Sequence, residues 1–172
     1  DGDLDLYVGN ERFPFQLFQN NGDGTFLDVA RRAGVENNRF AKGVVWGDYN
    51  SDGFPDIYVS NLEGPNRLYR NNRDGTFTDV APEAGVTKPQ RSFPAWFWDF
   101  NNDGALDLYV ASYHPDVGRV AADYLRLPHD GEPACLYQGD GKGGFREVAR
   151  SQNLTRVSQT MGANFGDLDN DG

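Results

Sequence analysis

Hydrophobic and polar positions alternate in short bursts along this chain, and each burst is closed off by Asn, Asp and Gly. Ile57 and Val59 alternate with Tyr58, and Leu68 alternates with Tyr69. A period of two marks strands with distinct sides, and the polar clusters around them mark turns. Over one stretch the pattern predicts four strands: Gly43 to Gly47, Asp56 to Ser60, Arg67 to Arg70 and Thr76 to Val80. The "RDGT" at 73 to 76 carries the Asp-Gly pair of a tight hairpin, in which glycine adopts positive φ at little steric cost.

The same stretch recurs. "GDYNSDGFPDIYVSN" at 47 is followed by "WDFNNDGALDLYVAS" at 98; the second half of the unit heads the chain as "DGDLDLYVGN", and the first half closes it as "GDLDNDG". Interleaved with it run "NNGDGTFLDVARRAGV" at 20, "NNRDGTFTDVAPEAGV" at 71 and a weaker "GDGKGGFREVARSQNL" at 139. Asp52 to Asp103 and Phe26 to Phe77 are both 51 residues, while Asp103 to Asp171 and Phe77 to Phe145 are both 68. One insertion of 17 residues, within about 113–134, accounts for every offset.

Four antiparallel strands repeated in this way predict an all-β fold of β-propeller blades. The parts are residues 1–35, 36–86, 87–154 and 155–172. They add to about three blades' worth, below the roughly four to eight of a closed propeller, so a piece of a larger propeller is expected. Small residues in the first strand of each unit (Gly43, Gly47, Ala95, Gly162, Ala163, Gly166) suit a crowded position nearest the axis.

Composition narrows the partners. The 172 residues carry a net charge of −10, which argues against nucleic acid or an anionic membrane. No apolar run approaches the ~20 residues of a membrane helix. No signal peptide is seen, but the chain starts inside a repeat motif, so targeting is left open. Cys135, the one cysteine, cannot form an internal disulfide and is expected as a bare core thiol.

The acidic loops supply the candidate chemistry. The spacing D-x-[DN]-x-D-G-x-x-D offers oxygen ligands at positions 1, 3, 5 and 9 and a backbone carbonyl at 7, a set suited to calcium, with glycine at 6 for the turn. One loop presents Asp48, Asn50, Asp52, the Phe54 carbonyl and Asp56; the other presents Asp99, Asn101, Asp103, the Ala105 carbonyl and Asp107. Asp167, Asp169 and Asp171 form the first half of a further site, and Asp1 and Asp5 the second half of another. Solvated turns closed by Asx hydrogen bonds are the bland alternative, disfavoured by two complete copies in register. An EF-hand would require flanking helices and Glu at position 12, where Val59 and Val110 stand inside strands. Mg²⁺ prefers fewer protein ligands, and Zn²⁺ would want a Cys/His set.

Loop, strands and "DGTF" turn together resemble the FG-GAP/VCBS repeats of integrin-α-like propellers, closest to the cartilage acidic protein and ASPIC/UnbV-associated group. The resemblance covers the chain apart from the insertion. It implies a propeller of about seven blades, with calcium in the first hairpin loop of several of them.

Other signals are weak. Val117, Val120, Ala121, Tyr124 and Leu125 predict a short amphipathic helix behind an Asp116 cap, expected to pack onto the propeller and otherwise to offer a partner-binding ridge. His114 and His129 read as surface-loop histidines, and "NLT" at Asn153 matches a glycosylation sequon. No nucleophile elbow, phosphate loop or dinucleotide fingerprint is present; "GDGKGG" at 139 is a hairpin turn. The favoured function is a non-catalytic, calcium-stabilised binding or adhesion scaffold in the periplasm, at the cell surface or outside the cell. Its protein or carbohydrate ligand is expected on the face opposite the calcium loops. The alternative is a polysaccharide-active propeller enzyme whose catalytic residues lie in other blades.

Overall fold

The computed structural model describes residues 2–164, 166 and 168. Three antiparallel sheets follow one another along the chain. The first holds β1 (Leu6–Val8), β2 (Gln16–Asn20) and β3 (Phe26–Asp28). The second runs in order through β4 (Ala41–Gly47), β5 (Asp56–Asn61), β6 (Arg67–Asn71) and β7 (Phe77–Asp79). The third comprises β8 (Ser92–Trp98), β9 (Asp107–Ser112), β10 (Cys135–Gly139) and β11 (Phe145–Glu147). Each sheet is an up-and-down blade, and the strand limits lie within two residues of those read from the alternation.

Alternation decides which sheet packs on which. In β5, Ile57 and Val59 point into a core shared with Tyr7, Phe15, Leu17 and Val35 of the first blade. Tyr58, between them, points the other way, into a core with Leu108, Val110 and Tyr137 of the third. The second blade is thus sandwiched, and all six residues of β5 are buried. Each fully buried aliphatic side chain of this kind contributes about 1.5–3 kcal/mol. The third blade's far side carries a smaller cluster, Leu136, Val148 and Ala149, with Trp98, Phe100 and Tyr109 only half buried against it.

The inner strands pack closely, as their small residues predict. A Cβ added to Gly47 would lie 2.6 Å from Phe97 Cδ2. For the fourth unit, the described residues show an isolated bridge between Tyr113 and Gln159 and, beside it, the His114 N–H bonded to the Ser158 carbonyl at 2.9 Å. The predicted inner strand around Gly162, Ala163 and Gly166 is not formed among them.

Helices bring additions and one correction. After β3 and β7 the chain makes single turns that alternation did not foresee, α1 (Ala30–Ala33) and α2 (Ala81–Ala84). Both end at a left-handed glycine, Gly34 (φ 75°) and Gly85 (φ 73°), whose N–H closes the turn. The insertion contains α3 (Val117–Tyr124), capped by Asp116, which accepts the Gly118 N–H at 2.8 Å. Its apolar side does not pack onto the propeller: none of its residues is buried, and Val117, Tyr124 and Leu125 are exposed. Polar links hold the helix instead, Arg119 to Asp130 within the insertion and Arg156 to Asp123. Among the described residues no helix is long and apolar enough to cross a membrane.

Candidate functional site

The two complete acidic loops lie between β4 and β5 and between β8 and β9, and they share one backbone. Ser51 and Asn102 both take left-handed φ, 56° and 57°, and the glycines that follow, Gly53 and Gly104, sit at 85° and 86°. The first aspartate of each loop bonds two amides: Asp48 accepts from Asp52 and Gly53 at 2.9 and 2.8 Å, and Asp99 from Asp103 and Gly104 at 3.1 and 2.7 Å. Asn50 and Asn101 each accept one amide and donate to the next aspartate. Asp52 and Asp103 accept the Phe54 and Ala105 amides, both at 2.9 Å. The first five positions of each loop thus hold a tight turn in which the carboxylate oxygens of Asp48, Asp99 and Asp103 each accept one bond from within the loop.

The last aspartate is placed differently. Asp56 and Asp107 are fully buried at the start of a strand. Oδ1 of each accepts an amide at the end of the third strand of its blade, Asn71 at 2.7 Å and Gly139 at 2.8 Å. Asp5 makes the equivalent bond to Asn20 at 2.8 Å, but in an exposed setting. Oδ2 separates the two loops. Asp107 Oδ2 accepts the Phe100 N–H at 2.9 Å, whereas Asp56 Oδ2 is buried without a hydrogen-bond partner, the Tyr49 N–H pulling on it without forming a bond. Burial pushes the Asp56 carboxyl up to about 6, and the charges of Asp52 and Asp48 add to the rise. Burial also raises Asp107, against the pull of the Gly139 and Phe100 amides.

A buried carboxylate oxygen without a hydrogen-bond partner, on a group raised further by the charges of Asp52 and Asp48, leaves negative charge only partly compensated. The residues present fit a hard divalent cation with oxygen ligands. Among the described residues no group of three or more His, Cys, Asp or Glu side chains is gathered closely enough to hold an ion by itself. Asn50 or Asn101 and the Phe54 or Ala105 carbonyl would have to complete each set. Asp1, Asp167, Asp169 and Asp171 lie outside the described residues.

Sequence reasoning passed over Arg73. Its Nη2 reaches Asp52 Oδ2 at 3.1 Å, and its guanidinium lies over the Phe54 ring, 5.1 Å from the centroid. Burial works to raise the Asp52 carboxyl, but Arg73 and the Phe54 amide outweigh it and hold the group below the usual range. At the corresponding position the sister units carry Gly22 and Gly141, so the one signal available was the departure from the repeat.

The opposite face carries the insertion, because the up-and-down order puts the connection from β9 to β10 at the far end of the strands from the acidic loops. His114 is not a surface histidine: it is 6% exposed, and its Nε2 accepts the Glu132 N–H at 3.0 Å. Its burial depends on a chain segment 18 residues away folding back over it. His129 lies 3.4 Å from Asp123. A cavity of about 780 Å³ opens here, lined by Lys88, Asp123, His129, Glu132, Glu147 and Arg150 among others. The Cys135 thiol, half-buried at its edge, is pushed up to about 11 by burial.

Comparison with known proteins agrees with this architecture. The family model for the FG-GAP-like repeat matches residues 1–59 and 48–110. The chain is similar to cartilage acidic protein 1 of Xenopus tropicalis, 39% identical over 124 residues, covering 67% of this chain and 19% of that protein. It is also similar to cartilage acidic protein 1 of Homo sapiens, 38% identical over 110 residues, covering 61% of this chain and 16% of that protein. The chain spans less than a fifth of the length of these relatives.

Proposed function

This chain belongs to the FG-GAP-like repeat family, and on that premise we propose that it is part of a calcium-stabilised propeller acting as a binding or adhesion scaffold outside the cytoplasm. Asp48, Asn50, Asp52, Asp56 and the Phe54 carbonyl would hold one ion. Asp99, Asn101, Asp103, Asp107 and the Ala105 carbonyl would hold the second. The buried Asp56 oxygen without a partner is the observation that carries this reading. The ion supplies charge compensation and locks the hairpin; no catalysis is assigned to it.

The insertion face is the proposed recognition surface. Loops on a rigid blade are where binding residues concentrate, and the mixed-charge cavity that Asp123 of α3 helps to line suits a polar protein or carbohydrate ligand. The remaining blades of the parent propeller are proposed to complete the ring around the axis.

Thermal melting in excess chelator and at rising calcium concentrations tests the metal reading. Binding to the folded state alone raises the melting temperature continuously with calcium once the dissociation constant is exceeded. A melt that does not move between chelator and several millimolar calcium overturns it.

A further inference from the structure

Arg73 stands where a glycine belongs. In all three turns between the third and fourth strands of a blade, this position takes left-handed φ: 74° at Gly22, 68° at Arg73 and 65° at Gly141. A long side chain is strained in that region, and such strain persists only where other contacts hold it. The contacts here are specific. The backbone N–H of Arg73 bonds Asn71 Oδ1 at 2.9 Å, the guanidinium stacks on Phe54, and Nη2 pairs with Asp52, whose side chain is 16% exposed. Asp52 is the fifth-position ligand of the proposed ion, and Phe54 supplies the carbonyl.

We infer that Arg73 is a tethered cation for the 48–56 loop, which exchanges it for calcium; the inference rests on the calcium reading above. A guanidinium on Asp52 holds one of the oxygens a metal ion would take. Calcium therefore has to displace Arg73, and the side chain has somewhere to go. It lines a cleft of about 310 Å³ between the first and second blades, shared with Trp46, Phe77 and Arg32. Among the described residues no ion pair to the carboxylates of the 99–107 loop is formed, and Gly141 occupies the equivalent turn position. The two loops are then unequal by construction: filling 48–56 releases a positive charge toward the cleft, and filling 99–107 does not.

Calcium titration calorimetry on the chelator-stripped chain tests this, with Asp103→Asn used to isolate the 48–56 loop and Asp52→Asn to isolate the other. In the Asp103→Asn background, Arg73→Gly and Arg73→Gln tighten calcium binding about two- to fivefold, the range of an exposed ion pair, whereas Arg73→Lys leaves it close to the parent. In the Asp52→Asn background none of the three changes affinity. Tightening by Arg73→Gly alone would assign the effect to relief of backbone strain, and equal tightening by Gly and Lys would show that a positive charge at this position does not compete. Either result would overturn the exchange. So would unchanged affinity for Arg73→Gln in a chain that binds calcium. Absence of calcium binding in every chain overturns the calcium reading, and this inference with it.

Discussion

The Tyr58 hydroxyl, fully buried between the second and third blades, donates to the Val86 carbonyl at 2.9 Å. Fifty-one positions earlier, Tyr7 does the same to Val35 at 2.7 Å, in both cases across 28 residues. Each bond pins the segment after a one-turn helix to the middle of its blade. Tyr58→Phe leaves a buried carbonyl unsatisfied and is expected to cost about 1–2 kcal/mol, or roughly 2–8 °C in melting temperature for a chain of this size. The drop should be equal in chelator and in calcium; a loss confined to one condition would tie the bond to the metal.

Asp103 does two jobs that substitution separates. It turns the loop by accepting the Ala105 amide, and it contributes charge. Asp103→Asn keeps an oxygen for the Ala105 amide and loses only the exposed bond from Asn101, so melting in chelator should fall less than in Asp103→Ala while the calcium-dependent rise shrinks. Asp103→Ala removes both and should lower the chelator melt by roughly 0.5–1.5 kcal/mol as well. Equal calcium shifts in parent and Asn variant would remove Asp103 from the ligand set.

His114 supplies a pH dependence on the other face. Burial depresses its affinity for a proton, Arg119 and Arg91 add to the effect, and Glu132 and Asp130 oppose it. The folded pKa therefore lies below the unfolded value near 6.5. Above that value both states are neutral and the group contributes full stability. As pH falls through 6.5, the unfolded chain takes up the proton first, so stability declines until the folded pKa is passed. Urea unfolding at pH 7.5 and 5.5 should show a smaller loss for His114→Gln, which can still accept the Glu132 amide. Identical slopes would show that the imidazole titrates freely.

The far side of the third blade should be adhesive. Trp98 lies 6.3 Å from Tyr109 and 6.1 Å from Phe100 in a half-buried cluster, in the position that the neighbouring blades occupy on either side of β5. Contiguous apolar surface of this kind drives association. Light scattering should show concentration-dependent self-association, reduced in Trp98→Ser. A monomer at every concentration would mean that the face is adequately covered within this chain.

Strands, blade order and loop backbones were legible because the repeat states them more than once: Ile57 and Leu108 occupy the same register position in successive units. What the repeat could not state was anything present once. The periodicity of α3 shows an apolar side but not its direction, and the direction was settled by Arg119–Asp130 and Arg156–Asp123, pairings remote in sequence. His114 reads as a loop residue until Glu132 folds over it. The turns α1 and α2 were hidden by their brevity, although Gly34 and Gly85 each signal a helix end. Arg73 was visible only as a disagreement with Gly22 and Gly141.

The insertion enters the third blade without disturbing its pairing. Leu108, Tyr109 and Val110 face Tyr137, Leu136 and Cys135, the partners that correspond to Ile57, Tyr58 and Val59 facing Tyr69, Leu68 and Arg67. Lengthening a loop costs only about 0.6 kcal/mol per doubling in closure entropy, and the strands on either side keep their register. The β9–β10 junction is therefore a natural grafting port. A foreign loop or small domain spliced between Tyr113 and Ala134 would be displayed on a rigid stem while the acidic loops at the other end of the strands keep their geometry. The corresponding connection in the second blade, from Leu62 to Asn66, offers a second port one blade away.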